Sequence, residues 1–181
     1  MRPTRRGLLI GAAAGGGLLV GWSLLPRRYA LPLEPAAGET AYNAWIKIAR
    51  DGVVSVAVPQ CEMGQGITTL IPQIVAVELG ADWRQIAVEP AAISPAYANP
   101  VIAARWAPVR SGWFSAMGDD PDGLLARRFA QGSALMVTAD GTSLAAYEGP
   151  AREAAAAVRS LLAQAAAERW GVGVYGILHI L

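Results

Sequence analysis

VVSVAVPQCEMGQGITTLIPQIVAVEL, residues 53–79, is the stretch whose reading decides the fold. Val53 to Val58 alternates apolar and small residues, the pattern of a half-buried strand. Ile67 to Leu79 places Leu70, Ile71, Ile74, Val75 and Leu79 at helical spacing. Pro72 suits the first turn of that helix and Gly80 its end. Between strand and helix stands Cys61-Glu62-Met63-Gly64-Gln65-Gly66. Two readings of this loop stand side by side. One is an ordinary glycine-rich turn from strand to helix. The other is a cofactor loop. Glycines let backbone N–H groups approach a ligand, Gln65 supplies an uncharged donor and acceptor, and the helix start offers N–H groups to an anion. Glu62 orients the loop or caps the helix.

Outward from this stretch the pattern continues on both sides. Asn43 to Ala49 and Val53 to Val58 flank Arg50-Asp51-Gly52, which predicts a β-hairpin. Trp83 to Glu89 predicts a third strand. The order hairpin, loop, helix, strand gives an α+β class. From Pro90 to Met136 five prolines and several glycines break every periodicity, so an irregular segment is expected there. Trp83, Trp106 and Trp113 lie in or near it, as core residues or as the cover of an interface. Asp140-Gly141-Thr142-Ser143 reads as a turn. Pro150 to Trp170 predicts a long alanine-rich helix, with Pro150 at its first position, Gly171 at its end, and Val158, Leu161, Leu162 and Ala165 on the buried face.

The 181 residues are 54% hydrophobic and carry a net charge of +1. That charge excludes the clustered basic face of a nucleic-acid binder. Cys61 is the single cysteine and His179 the single histidine, so neither an internal disulfide nor a Cys/His zinc site can form. A Ser-His-Asp triad is not expected either. Enzymatic chemistry in such a chain would rest on a bound cofactor.

Residues 1–30 read as a targeting or anchoring segment. Thr4-Arg5-Arg6-Gly7-Leu8-Leu9 resembles a twin-arginine export signal, followed by an uncharged run from Gly7 to Leu25. The alternative is a plain membrane anchor of about the length that spans a bilayer, weakened by six glycines. Either predicts a periplasmic or inner-membrane-associated protein. Residues 31–41, rich in Pro, Ala and Gly, read as a linker.

The run NAWIKIARDGVVSVAVPQCEMGQGITTLIPQIVAVELGADWRQIAVEPA, residues 43–91, resembles the start of the molybdopterin-binding subunits of the xanthine dehydrogenase and aldehyde oxidase family. Isoquinoline 1-oxidoreductase beta subunits and membrane-associated bacterial aldehyde dehydrogenases are the types it most resembles. The resemblance implies that Glu62, Met63, Gly64, Gln65 and Gly66 match a loop lying against the molybdenum–molybdopterin cofactor. It further implies hydroxylation of an aldehyde or N-heterocycle with oxygen from water, and a partner subunit carrying [2Fe-2S] iron–sulfur centres. The stretch DGTSLAAYEGPAREAAAAVRSLLAQAAAERWGV, residues 140–172, is similar to a later family segment, but Gly149 intervenes between Glu148 and Pro150 and the turn is Asp-Gly-Thr-Ser. A pterin role for Gly141, Thr142 and Ser143 is therefore not assigned. The resemblance spans residues 42–172 and leaves a non-family tail, 173–181. The family's general-base glutamate falls beyond this stretch, so no catalytic residue is assigned. The expectation is a fragment of a larger molybdopterin-binding domain. A membrane-anchored, non-catalytic binding module and the product of a decaying gene are the alternatives.

Overall fold

A computed structural model describes residues 17, 25, 29–110, 120, 122–174 and 177. The expected export signal or anchor falls almost wholly outside the described residues. The chain divides into two units, Met1–Ala30 and Leu31–Leu181, and the second carries the fold described below.

Its centre is a four-stranded sheet in the order β1 (Glu39–Ala41), β2 (Ile46–Ala49), β3 (Val54–Val58), β4 (Ile86–Pro90). The expected hairpin is β2–β3, antiparallel, with Ile46 opposite Val56 and Ile48 opposite Val54. Gly52 closes its turn at φ 90°, where a side chain would be strained. The chain then leaves β3 through the Cys61–Gly66 loop, runs along helix α1 (Ile67–Leu79), and returns as β4, which pairs parallel to β3. A parallel return needs such a crossover. All five residues of β3 are buried, as befits a central strand covered on both faces.

Helix α1 buries Ile67, Ile71, Pro72, Val75, Ala76 and Leu79, and Gly80 caps it in the left-handed region. Pro72 sits past the first turn, at the sixth helical position, where its missing N–H removes the bond to the Thr68 carbonyl. Helix α4 (Thr142–Trp170) packs along α1. It presents Tyr147, Ala151, Ala155 and Val158, all fully buried, at helical spacing. Small alanines let the two helices lie close. Trp45, just before β2, meets Tyr97 edge-on at 5.4 Å and Tyr147 at 5.9 Å within this core.

Four expectations change. The third strand begins at Ile86, because Asp82 caps a 3₁₀ turn over Trp83–Gln85 by accepting from the Arg84 N–H at 2.9 Å. Among the described residues, the segment from Pro90 to Met136 holds two α-helices, α2 (Pro100–Arg110) and α3 (Leu124–Gly132). Helix α4 starts at Thr142, eight residues before Pro150, which lies inside it. Burial of Ala146 and Tyr147 holds the added turns despite the proline. Its buried face is the alanine row, while Leu161 and Leu162 are 51% and 36% exposed and Ala165 is exposed.

Residues 31–41, read as a linker, also contribute to the core and the sheet. Leu33 is buried and Glu39–Ala41 forms β1. Glu39 and Glu89 hold Lys47 between them at 3.0 and 2.9 Å, tying β1, β2 and β4 together. Among the described residues no helix is long and apolar enough to cross a membrane.

Candidate functional site

The loop from Cys61 to Gly66 is built around the Glu62 carboxylate. One of its oxygens accepts from the N–H groups of Gly64 (2.8 Å) and Gly66 (2.9 Å). The other accepts from the Thr68 N–H (3.1 Å) and the Thr68 hydroxyl (2.9 Å). Glu62 thus satisfies the start of α1, where unpaired N–H groups and the helix dipole favour a negative charge. Hydrogen bonds from the Gly66 and Thr68 N–H groups, the Thr68 hydroxyl and the Gly64 N–H pull its carboxyl from an ordinary 4.5 down to about 2. The loop's own carboxylate therefore occupies the helix start that the sequence offered to an external anion.

Gln65 folds back over the same loop. Its carbonyl oxygen accepts from the Met63 N–H at 2.6 Å, and its amide nitrogen donates to the Cys61 carbonyl at 2.6 Å. Of the N–H groups from Met63 to Thr68, those of Gln65 and Ile67 have no partner among the described residues. Gly64 and Gly66 lie at φ 98° and 77°. A Cβ built on either would meet nothing within 4 Å. The glycines are required by backbone conformation, and the surface beside them is open. Met63 projects outward, 69% exposed, and Cys61 is an exposed free thiol.

A second turn faces this loop. Met63 and Gln65 share a cleft of about 200 Å³ with Thr138, Ala139, Asp140, Gly141 and Ser143. The Cys61 N–H donates to the Thr138 hydroxyl at 3.0 Å across it. Thr142 and Ser143, however, turn their hydroxyls inward. Thr142 donates to the Ala139 carbonyl and accepts from Asn99 at 3.0 Å. Ser143 donates to the Gln60 side-chain oxygen at 2.7 Å. Both residues are buried, and these contacts account for them structurally.

Two residues that the sequence reading passed over, Gln60 and Asn99, hold the turns together. The buried amide nitrogen of Gln60 donates to the Pro59 carbonyl (2.9 Å), the Met136 carbonyl (3.0 Å) and the Tyr147 hydroxyl (3.4 Å). Asn99 precedes α2 and accepts from the Ile102 N–H at 3.0 Å, the bond of a helix cap. Asn99-Pro100 is a legible start signal, since Asn favours the cap and Pro the first position. Gln60 has no such signature. Trp106 donates its indole N–H to the Asp140 carboxylate at 2.6 Å, so one of the three tryptophans braces the turn. Trp83 is 48% exposed and Trp113 lies outside the described residues.

Comparisons with known proteins bear on this arrangement. The family described as "Molybdopterin cofactor-binding domain" matches residues 9–109. The "Isoquinoline 1-oxidoreductase subunit beta" of Brevundimonas diminuta is 38% identical over 68 residues, 37% of this chain and 9% of that protein. The "Membrane-bound aldehyde dehydrogenase [pyrroloquinoline-quinone]" of Gluconacetobacter polyoxogenes is 30% identical over 107 residues, 57% of this chain and 14% of that protein. The chain thus spans a small part of these relatives' length. No solved structure matches it.

Proposed function

The chain belongs to the molybdopterin cofactor-binding domain family, and from that premise we propose that it forms one wall of the cofactor site in an oxidoreductase acting on aldehydes or N-heterocycles. The single observation that carries this reading is the open loop Cys61–Gly66. It presents two side-chain-free glycines, the N–H group of Gln65, unpartnered among the described residues, and an exposed Met63. These features fit a polar, planar ligand that needs close backbone approach. The cleft beside them, about 200 Å³, is below the roughly 300–1,000 Å³ of complete ligand sites, which fits a wall rather than an enclosing pocket.

In this reading each residue has a distinct task. Gly64 and Gly66 admit the ligand to the backbone. Gln65 offers its N–H and the remaining hydrogen of its side-chain amide. Met63 covers an apolar edge. Glu62 acts through the loop, holding it in shape as a charged acceptor. When bound, the cofactor supplies two-electron redox chemistry in which water provides oxygen to the substrate, while two protons and two electrons depart. The names of both relatives, an oxidoreductase and a dehydrogenase, support redox chemistry, and the second names pyrroloquinoline-quinone as its cofactor. Electron acceptance by a [2Fe-2S] partner subunit, and export by the Arg5-Arg6 signal to the periplasm or its membrane, complete the proposal. The name of the membrane-bound relative supports a membrane location alone. A non-catalytic module is favoured by one observation: both functional groups of Gln65 already have partners inside the loop.

Both readings meet one experiment. The native product, captured from molybdate-replete cells with an antibody to residues 42–90, is sized on a gel and analysed for bound metal and quinone. Stoichiometric molybdenum is the expected result. A product lacking molybdenum, with or without a quinone, would overturn the cofactor reading.

A further inference from the structure

Away from the glycine loops, a second cleft of about 390 Å³ lies where the ends of β2 and α1 meet the C-terminal half of α4. Its walls include Ile48, Leu79, Leu162, Ala166 and Trp170, and it is overwhelmingly apolar. One cation stands among them, Arg159. A guanidinium carries five N–H donors and is always charged. Among the described residues it makes a single long contact, from Nη1 to the Glu78 carbonyl at 3.5 Å. Its Nε is buried without a partner. No carboxylate among the described residues pairs with it. That of Glu78 is taken by Arg152 at 3.3 Å, and Arg152 also holds Glu148 at 3.0 Å.

Holding a charge against an apolar wall without a counter-ion is unfavourable unless an anion completes it. The volume lies within the range of small-molecule pockets, roughly 300–1,000 Å³. The walls suit an aliphatic chain and the single cation suits one carboxylate, which guanidinium groups bind with two parallel hydrogen bonds. Trp170, 65% exposed, stands at the rim, where a ring lies along a chain readily. We propose that this cleft binds a medium-length aliphatic monocarboxylate, its head group on Arg159 and its tail along Leu162, Ala166 and Trp170.

The proposal is independent of the cofactor reading, since the two sites share no residue. Isothermal titration calorimetry of the full chain with sodium octanoate tests it. One saturable phase is expected, with 1-octanol, which lacks the charge, binding more weakly. Arg159→Met keeps the stem and removes the charge. It should weaken octanoate by about tenfold or more, as losing a charge-assisted hydrogen bond does, and leave 1-octanol unchanged. Ala166→Phe, which fills the cleft, should abolish both. Absence of saturable octanoate binding would overturn the proposal. So would equal binding of octanoate and 1-octanol to the unaltered chain, a comparison that needs no variant to fold. Unweakened binding of octanoate to a folded Arg159→Met protein would do the same.

Discussion

Helices α1 and α4 are entered in the same way, through a glycine in the left-handed region: Gly66 at φ 77° and Gly141 at φ 62°. Neither glycine contributes a capping side chain. The two entrances differ in what replaces the cap and where the polar groups go. At α1, Glu62 reaches forward from the loop and takes the N–H groups itself. The loop stays outside the core, with Met63 and Gln65 exposed. At α4, the hydroxyls of Thr142 and Ser143 point into the protein and join Asn99 and Gln60. One entrance is a self-contained loop at the surface. The other is an anchor that fixes the floor beside it. Similar glycine-rich sequences thus serve opposite purposes according to which side chains are buried.

The largest break in this comparison comes from the anchor. Asn99 is fully buried, caps α2, and donates to Thr142 (3.0 Å) and the Val137 carbonyl (3.4 Å). Asn99→Ala removes the cap and strands these partners. The cost is about 3 kcal/mol, combining a lost cap with unsatisfied buried groups. Equilibrium unfolding in urea measures it. A loss under about 1 kcal/mol, the level of an ordinary exposed cap, would mean that the anchor bears little of the fold.

The glycines sharpen the parallel. At both Gly66 and Gly141 an added Cβ meets nothing within 4 Å, so only the backbone conformation is penalised. Gly66→Ala and Gly141→Ala should each destabilise by about 1–2 kcal/mol, the price of the left-handed region for an L-residue. Matching urea midpoints are expected for the two variants. A gap larger than about 1 kcal/mol, comparable to the whole effect, would show that the entrances are not equivalent.

The self-contained entrance was legible in the sequence and the long-range pairs of the anchor were not, for a physical reason. Hairpin, loop and α1 depend on contacts within a few residues: Asp51-Gly52 at the turn, Glu62 reaching Gly66 and Thr68, and apolar spacing along 67–79. The anchor depends on pairs far apart in the chain. Gln60 meets Ser143, and Asn99 meets Thr142, so their burial cannot be read locally. The prolines between residues 90 and 136 suggested irregular chain, yet Pro100 initiates α2 instead of preventing it. Pro150 misled in the opposite direction, because tertiary burial of Ala146 and Tyr147 outweighs its missing hydrogen bond. At the loop, the sequence marked Glu62 to Gly66 as one group, and the partition of labour within it, Glu62 inward and Met63 outward, required the geometry.

The smallest expected effect is the most diagnostic of that partition. Glu62→Gln retains the shape of the side chain but removes its charge, leaving one acceptor oxygen where two serve now. The Glu62 carboxyl titrates near 2 in the folded protein against an ordinary 4.5. A carboxyl with a lowered folded pKa stabilises the fold fully above its unfolded pKa and loses that contribution as pH falls through its folded value. The unaltered chain should therefore be more stable than Glu62→Gln above pH 4.5, with the difference shrinking between pH 4.5 and 2. Glu39, also lowered by the Ala36 N–H and Lys47, titrates in both proteins and cancels from the difference. Urea midpoints of the pair across this range supply the measurement. A difference that stays constant with pH would show that the carboxylate's charge does not hold the loop. Gln65, and no longer Glu62, would then be the residue that sets its shape.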